Sequence, residues 1–332
     1  MNKICLLLAF LTYSSLGLSQ DKIIYDKELT NLEYPFEVKT FEFESQRQAL
    51  NMRYMDIGDS LDKKKVALLL HGKNFSGSYW SRIAIELVNK GYRVVIPDQV
   101  GFGKSTKPEY YDYSFAQLGL NTISLLTHLS IKRDVVIVGH SMGGMLATHL
   151  SYMKPSLFKQ LVLINPIGLE KYSDYVQIKD PQFFYEKELK KTEAGVRNYQ
   201  KKNYYDGKWT DEYEKLINIH IGWLNGPDKA LIAWNNALTY MPIFTEDIVS
   251  KVKDLKVPTV LIIGTRDTTG PGRGWKKPGV DYKLGQYQKL GKSFIQGFKN
   301  TDAKLLELEG LGHLPQFENY GVFSKVFYPL FD

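Results

Sequence analysis

Cysteine is all but missing from this chain: Cys5 is the only one among 332 residues, and it falls in an N-terminal apolar stretch. Past that stretch the chain can form no disulfide, offer no thiol nucleophile and build no thiolate metal site. Its six histidines are few, and no two stand at convincing ligand spacing, so neither a metal nor another cofactor is expected. No segment reaches the roughly 18 apolar residues that a membrane-spanning helix needs. Acidic residues are in the minority, 36 against 43 basic, giving a formal charge of +7. The imbalance is concentrated late, with 12 Lys or Arg against four Asp in residues 251–304. No nucleic-acid-binding module organises this charge, so that segment reads as a solvated basic face and no nucleic-acid partner is expected. Repeats and low-complexity tracts are absent too.

What the chain does have begins with an address. Residues 1–19 read as a secretory signal: Lys3 is the only charge before Asp21, Ile4 to Leu11 form an apolar core, and Ser14, Ser15, Gly17 and Ser19 are small residues near a cleavage point. The expectation is an exported protein, periplasmic or secreted, that acts on a small molecule; nothing in the sequence sets its oligomeric state.

Hydrophobic patterning then sets the fold class. Residues from Pro35 to Phe43 and from Leu50 to Asp56 alternate, which predicts an antiparallel hairpin at a sheet edge. Afterwards come short continuous apolar runs, Val66–Leu70, Val94–Ile96, Val135–Val138, Leu161–Ile164 and Val260–Ile263, and a last strand over Lys304–Leu308. Such runs suit strands covered on both faces. Helical patterns separate them at Trp80–Asn89, Phe115–Leu129 and Met142–Met153, and another closes the chain near Val322–Phe331. This alternation predicts an α/β protein with a doubly wound, mostly parallel eight-stranded sheet. One interval breaks the rhythm. It is rich in Tyr, Trp and Lys and carries helical patterns at Asp211–Ile221 and Asp228–Leu238, and it is too long for a structureless loop. Residues 169–244 are therefore expected to be an inserted helical cap on a core of 20–168 and 245–332.

One hexapeptide carries the chemistry. Gly139-His140-Ser141-Met142-Gly143-Gly144 joins a buried strand to a helix, the context in which Gly-x-Ser-x-Gly forms a nucleophile elbow. The serine sits in a strained turn, and the flanking glycines leave room where a Cβ would collide with the neighbouring strand or helix. A serine nucleophile needs a base, and the base an orienting acid. Asp267 follows the apolar run Leu261–Gly264, and His313 stands in the Gly310-Leu311-Gly312-His313 loop after the last strand, so all three converge where strands of an open parallel sheet end. The oxyanion hole needs two backbone N–H groups. One is expected from Met142 and the other from Lys73, with Asn74 as runner-up; the Lys73 side chain is expected in solvent. His71 is expected to order that loop and His140 to pack. Asn74, Phe75, Trp223 and Trp234 are the substrate-binding candidates, with Phe183, Phe184 and Tyr204 as further cap aromatics.

With His71-Gly72, Pro97-Asp98-Gln99-Val100-Gly101-Phe102-Gly103-Lys104-Ser105, the elbow, Asp267 and Gly312-His313 in this order, the chain resembles the α/β-hydrolase fold superfamily in its capped, lipase-like branch. The resemblance implies that Pro97–Ser105 is a turn near the active site and that Asp98 is structural. Haloalkane dehalogenases and epoxide hydrolases of this fold carry an aspartate at the elbow, so Ser141 argues against both chemistries. The loop Thr268–Val280, rich in Gly, Pro and Lys, departs from the pattern and is expected to border the pocket. The expected function is a serine esterase acting on a small or medium-sized ester. The alternatives are an aminopeptidase of the proline iminopeptidase type, which would need an acidic cap group such as Glu186, Glu188 or Glu193, a C–C bond hydrolase, and a ligand-binding receptor or scaffold.

Overall fold

The computed structural model describes residues 22–58 and 65–332. The expected signal, residues 1–19, and Cys5 within it lie outside the described residues. Every apolar run becomes a strand. β1 (Val38–Ser45) and β2 (Gln48–Ile57) form the antiparallel hairpin, turned through Gln46 and Arg47, both at positive φ (50° and 60°). β3 (Val66–Leu70), β4 (Arg93–Pro97), β5 (Val135–His140), β6 (Phe158–Ile164), β7 (Thr259–Gly264) and β8 (Ala303–Leu308) complete one eight-stranded sheet in the order β1-β2-β4-β3-β5-β6-β7-β8. β2 runs antiparallel to β4, and from β4 to β8 every pairing is parallel.

The runs are continuous because both faces are covered. Leu68, Leu70, Val135 and Ile137 pack into one apolar cluster with α2 (Phe115–His128) and α3 (Met142–Met153). Their neighbours Ala67, Leu69, Val136 and Val138 pack on the opposite face with α1 (Ser81–Asn89) and Phe323 and Phe327 near the C-terminus. Between β6 and β7 the chain runs through α4 (Tyr172–Tyr175), α5 (Pro181–Leu189), α6 (Glu193–Asn203), α7 (Asp211–Asn225), α8 (Lys229–Leu238) and α9 (Met241–Thr245). α10 (Tyr287–Gln296), α11 (Pro315–Glu318) and α12 (Tyr320–Phe327) follow. α10 was not foreseen: it buries Tyr287, Leu290, Gly291 and Phe294 on one face and leaves Lys289 and Lys292 exposed. Among the described residues no helix is long and apolar enough to cross a membrane.

Two local devices position the site. At the end of β4 the buried Asp98 carboxylate accepts from the Tyr34 hydroxyl (2.7 Å) and from the amides of Gly77 (2.6 Å) and Lys104 (2.7 Å). The turn thus folds around a charge, and Gly103 (φ +49°) has no room for a Cβ against it. Lys107 is buried beside this turn and gives its ammonium protons to the carbonyls of Gly103 (2.5 Å) and Ser105 (2.9 Å). Burial lowers its pKa to about 7, although Asp98 works the other way.

The second device is the β5–α3 turn. Ser141 stands at φ 55°, ψ −120°, a backbone state that non-glycine residues rarely adopt. A Cβ on Gly143 would collide with the Leu70 carbonyl of β3, and one on Gly139 with the Gly143 carbonyl. The helix start is therefore pressed against two strands at once.

Two outcomes are expected. Gly143→Ala should lower unfolding free energy by about 3 kcal/mol in urea titration, since backbone has to move, whereas Gly274→Ala, with nothing within 4 Å, should change it by about 0.5 kcal/mol or less. For Lys107 the folded chain releases its proton near 7 and the unfolded chain near 10.5, so unfolding takes up a proton between these values. Its contribution to stability therefore rises with pH across that window, and the stability difference between wild type and Lys107→Met should shift in favour of wild type from pH 7 to 9.5.

Candidate active site

Ser141, Asp267 and His313 meet at the C-terminal edge of the sheet, only 7%, 0% and 1% exposed. His313 Nε2 is 2.9 Å from Ser141 Oγ, and His313 Nδ1 is 2.7 Å from Asp267 Oδ2. A carboxylate can only accept, so Nδ1 carries the proton and Nε2 is left to receive one from the serine. Asp267 has further partners. Its Oδ2 also accepts from Asn165 Nδ2 (2.9 Å) and its Oδ1 from the Thr269 amide (2.7 Å). Burial alone would raise the Asp267 pKa, but His313 and the Thr269 bonds outweigh it and hold the carboxyl below its ordinary value. Asn165 was not foreseen. It stands just past β6, at positive φ (38°), and its Oδ1 also accepts from the Gly264 amide (2.9 Å), which locks the ends of β6 and β7 together.

The two motif histidines do more than pack. His140 Nε2 donates to the His313 carbonyl (2.9 Å), which leaves Nδ1 to accept from the Tyr79 hydroxyl (3.0 Å). Tyr79 in turn accepts from the Gly72 amide (3.3 Å). One chain of hydrogen bonds thus ties the loop after β3, the β5–α3 turn and the loop of His313. Burial first, then the nearby His313, push the His140 pKa down to about 3, so it stays neutral. His71 Nδ1 donates to the Gly72 carbonyl (2.9 Å) and its Nε2 accepts from the Gln99 amide (3.1 Å), which orders the loop after β3. Among the described residues the amides of Lys73 and Met142 have no protein acceptor.

A cavity of about 440 Å³ opens above Ser141. Helices α6, α7 and α9 contribute Val196, His220, Ile243 and Phe244 to it, Tyr204 enters just after α6, and the loop from Thr269 to Trp275 forms one wall. The Tyr204 ring also lies tilted against that of His313, with ring centroids 4.6 Å apart, and the Tyr204 carbonyl lies where a Cβ on Gly312 would have to be. Among the described residues three buried polar atoms of the lining lack a hydrogen-bond partner: Gln200 Oε1, His220 Nε2 and Trp275 Nε1.

Several expected positions need correcting. The Lys73 side chain does not point to solvent: its ammonium donates to the Asn236 carbonyl (3.0 Å) and Thr239 Oγ1 (2.8 Å) at the end of α8. Trp223 and Trp234 do not line the cavity. Their indole N–H groups reach the outer carbonyls of Asp26 (2.9 Å) and Glu109 (2.7 Å), which fixes the rings on the far side of α7 and α8. Phe75 stacks on Tyr79 (5.1 Å) beneath the loop, and Phe184 stacks on Tyr240 (4.8 Å) behind the wall. Asn74 and Tyr204 do line the cavity. His220, for which the sequence offered no partner, lines it as well.

The alpha/beta hydrolase fold family matches residues 66–208. An uncharacterized protein of Mycobacterium tuberculosis is 38% identical over 104 residues, 31% of this chain and 30% of that protein, so the chain spans about a third of the length of such curated relatives. A crystal structure of a "probable hydrolytic enzyme" from Pseudomonas aeruginosa superposes with a TM-score of 0.88 at 38% identity, covering 93% of this chain and 98% of that one. An esterase from Exiguobacterium antarcticum shares the fold (TM-score 0.67, 88% and 99% covered) at 13% identity. The sheet order, the strained serine between β5 and α3, and a relative matched over nearly its whole length agree: this chain belongs to the α/β hydrolase fold superfamily.

Proposed function

We propose that this protein is an exported serine hydrolase that cleaves a small or medium-sized carboxylic ester through an acyl-enzyme, with residues 169–244 acting as a cap over the site. The observation that carries the reading is the unbroken hydrogen-bonded line from Ser141 through His313 to Asp267. In the first step Ser141 Oγ attacks the ester carbonyl carbon and gives its proton to His313 Nε2. Asp267, ionised and fixed by Asn165 and Thr269, stabilises the imidazolium so formed. The tetrahedral oxyanion accepts from the amides of Met142 and Lys73, a role supported by their lack of a protein acceptor and by the N-terminus of α3 behind them. Collapse breaks the bond to the alcohol, which leaves with the proton from His313. Water then gives a proton to the same nitrogen and attacks the acyl carbon. Ser141 regains its proton and the carboxylic acid departs.

The cavity volume falls within the usual range for small-molecule sites, and its Ile243, Phe244 and Val196 walls suit an apolar segment. The aminopeptidase alternative loses support at the cap. Among the described residues no Asp or Glu lines the cavity, and Glu188 is buried and paired with Lys191 (2.6 Å).

The test is a panel of p-nitrophenyl esters of rising chain length beside aminoacyl-p-nitroanilides. Esters should be turned over, and Ser141→Ala should lose about 10⁴-fold or more in kcat. A fluorophosphonate should add to Ser141 in the wild type only. Turnover of anilides alone would transfer the assignment to a peptidase, and an unlabelled Ser141 would remove the hydrolase reading. Export has its own check. Cells producing the full chain should yield a periplasmic or secreted protein whose mass begins near residue 20; a cytosolic protein retaining residues 1–19 would overturn it.

A further inference from the structure

The wall of the Ser141 cavity is electrically one-sided. Lys73, Lys191 and Arg273 line it, and among the described residues no carboxylate does. Unpaired charge facing an enclosed space is costly unless something answers it. Part of the answer lies behind the wall. Glu188 is buried there, bonded to Lys191 (2.6 Å) and to Asn236 Nδ2 (3.3 Å). Burial would raise its pKa, but Lys191 and then Lys73 outweigh that and lower it, so Glu188 stays ionised. One carboxylate thus faces two ammonium groups, and it is in contact with only one of them.

Lys73 is the cation left over. Its ammonium donates to the Asn236 carbonyl (3.0 Å) and Thr239 Oγ1 (2.8 Å) and lies 4.0 Å over the Tyr240 ring, all neutral partners. An ammonium has three protons to give, and two are accounted for. Burial brings its pKa down to about 7; Glu188, out of contact, offsets this only in part, and Lys191 adds to the lowering. Beside it on the wall, the buried His220 Nε2 has no hydrogen-bond partner among the described residues. Burial, then Lys191, keep that ring neutral, with a pKa of about 3.

We propose that this wall is an anion subsite and that the natural ester carries a carboxylate, received by Lys73 and Lys191 with His220 Nε2 as an uncharged partner and Arg273 at the mouth. The proposal rests on the serine-hydrolase reading and names the substrate class for the same site. An anion there would supply the third acceptor for Lys73 and a partner for an atom that otherwise has none, and the apolar walls would hold the carbon chain between it and the ester.

The experiment compares substrates that differ only in charge. One pair places the charge on the acyl side, the p-nitrophenyl monoester of adipic acid and its terminal carboxamide. The other places it on the alcohol side, 4-butyryloxybenzoate and 4-butyryloxybenzamide. In one pair the carboxylate should raise kcat/KM by about tenfold or more over the carboxamide, the scale of one charge-assisted hydrogen bond, and the favoured pair tells which side of the ester faces the wall. The carboxylate-to-carboxamide ratio, taken within each variant, should fall about tenfold in Lys73→Met and in Lys191→Met; two variants guard against one that fails to fold. Equal turnover of carboxylate and carboxamide in both pairs would overturn the anion subsite and leave the hydrolase standing. No turnover of any of the four, with Ser141 still labelled by fluorophosphonate, would likewise overturn the subsite. No turnover together with an unlabelled Ser141 would overturn both.

Discussion

A carboxylate shut away from solvent has to find its hydrogen bonds inside the protein, and Asp267 finds them on three separate segments. Asn165 comes from the end of β6, Thr269 from its own loop after β7, and His313 from the loop after β8. The edge of the sheet is assembled around this charge. An unmet acceptor there would leave a charge desolvated without compensation, a penalty far larger than a single neutral hydrogen bond contributes. The same three bonds set the tautomer of the imidazole and aim its free nitrogen at the serine. Folding and the arrangement of Ser141, His313 and Asp267 therefore have a common physical origin.

Ser141 depends on a different constraint, one of volume. Ser141 can stay in its left-handed turn only while α3 begins flush against β3 and β5, and only hydrogen side chains at positions 139 and 143 allow that approach. His140 extends the same constraint sideways. Its ring joins the His313 carbonyl to Tyr79 and, through it, to the loop that carries Lys73. The three parts of the site are thus held by polar contacts as well as by packing.

Much of this could be read in the chain because its causes are local or two-faced. A run such as Val135–Val138 is apolar at every position since alternate residues enter opposite cores, and the glycines of the elbow leave a pattern a few residues long. Sequence was less informative where the cause lies between distant residues. Asn165 and Asp267 are brought together by strand order, and no spacing reports that. α10 was hidden because its buried Tyr287, Leu290 and Phe294 alternate with lysines that drew attention to charge. Trp223 and Trp234 misled for the reason that tryptophan often does: a large ring with one polar atom settles wherever a carbonyl is within reach, and here the carbonyls of Asp26 and Glu109 lie on the outside. The wall of cations could not be read at all, since Lys73, Lys191 and Arg273 come from three parts of the chain.

The contact between Tyr204 and Gly312 has a consequence for how such a protein can diversify. Among their several contacts with the core, the helices between β6 and β7 meet it where a main-chain carbonyl fits against a glycine and where Lys73 reaches the turn at Asn236 and Thr239. The first of these leaves no spare volume, since a Cβ on Gly312 would collide with the Tyr204 carbonyl oxygen. A chimera that carries another segment between β6 and β7 is expected to keep the loop of His313 in place only if it brings a backbone oxygen to the same place beside residue 312.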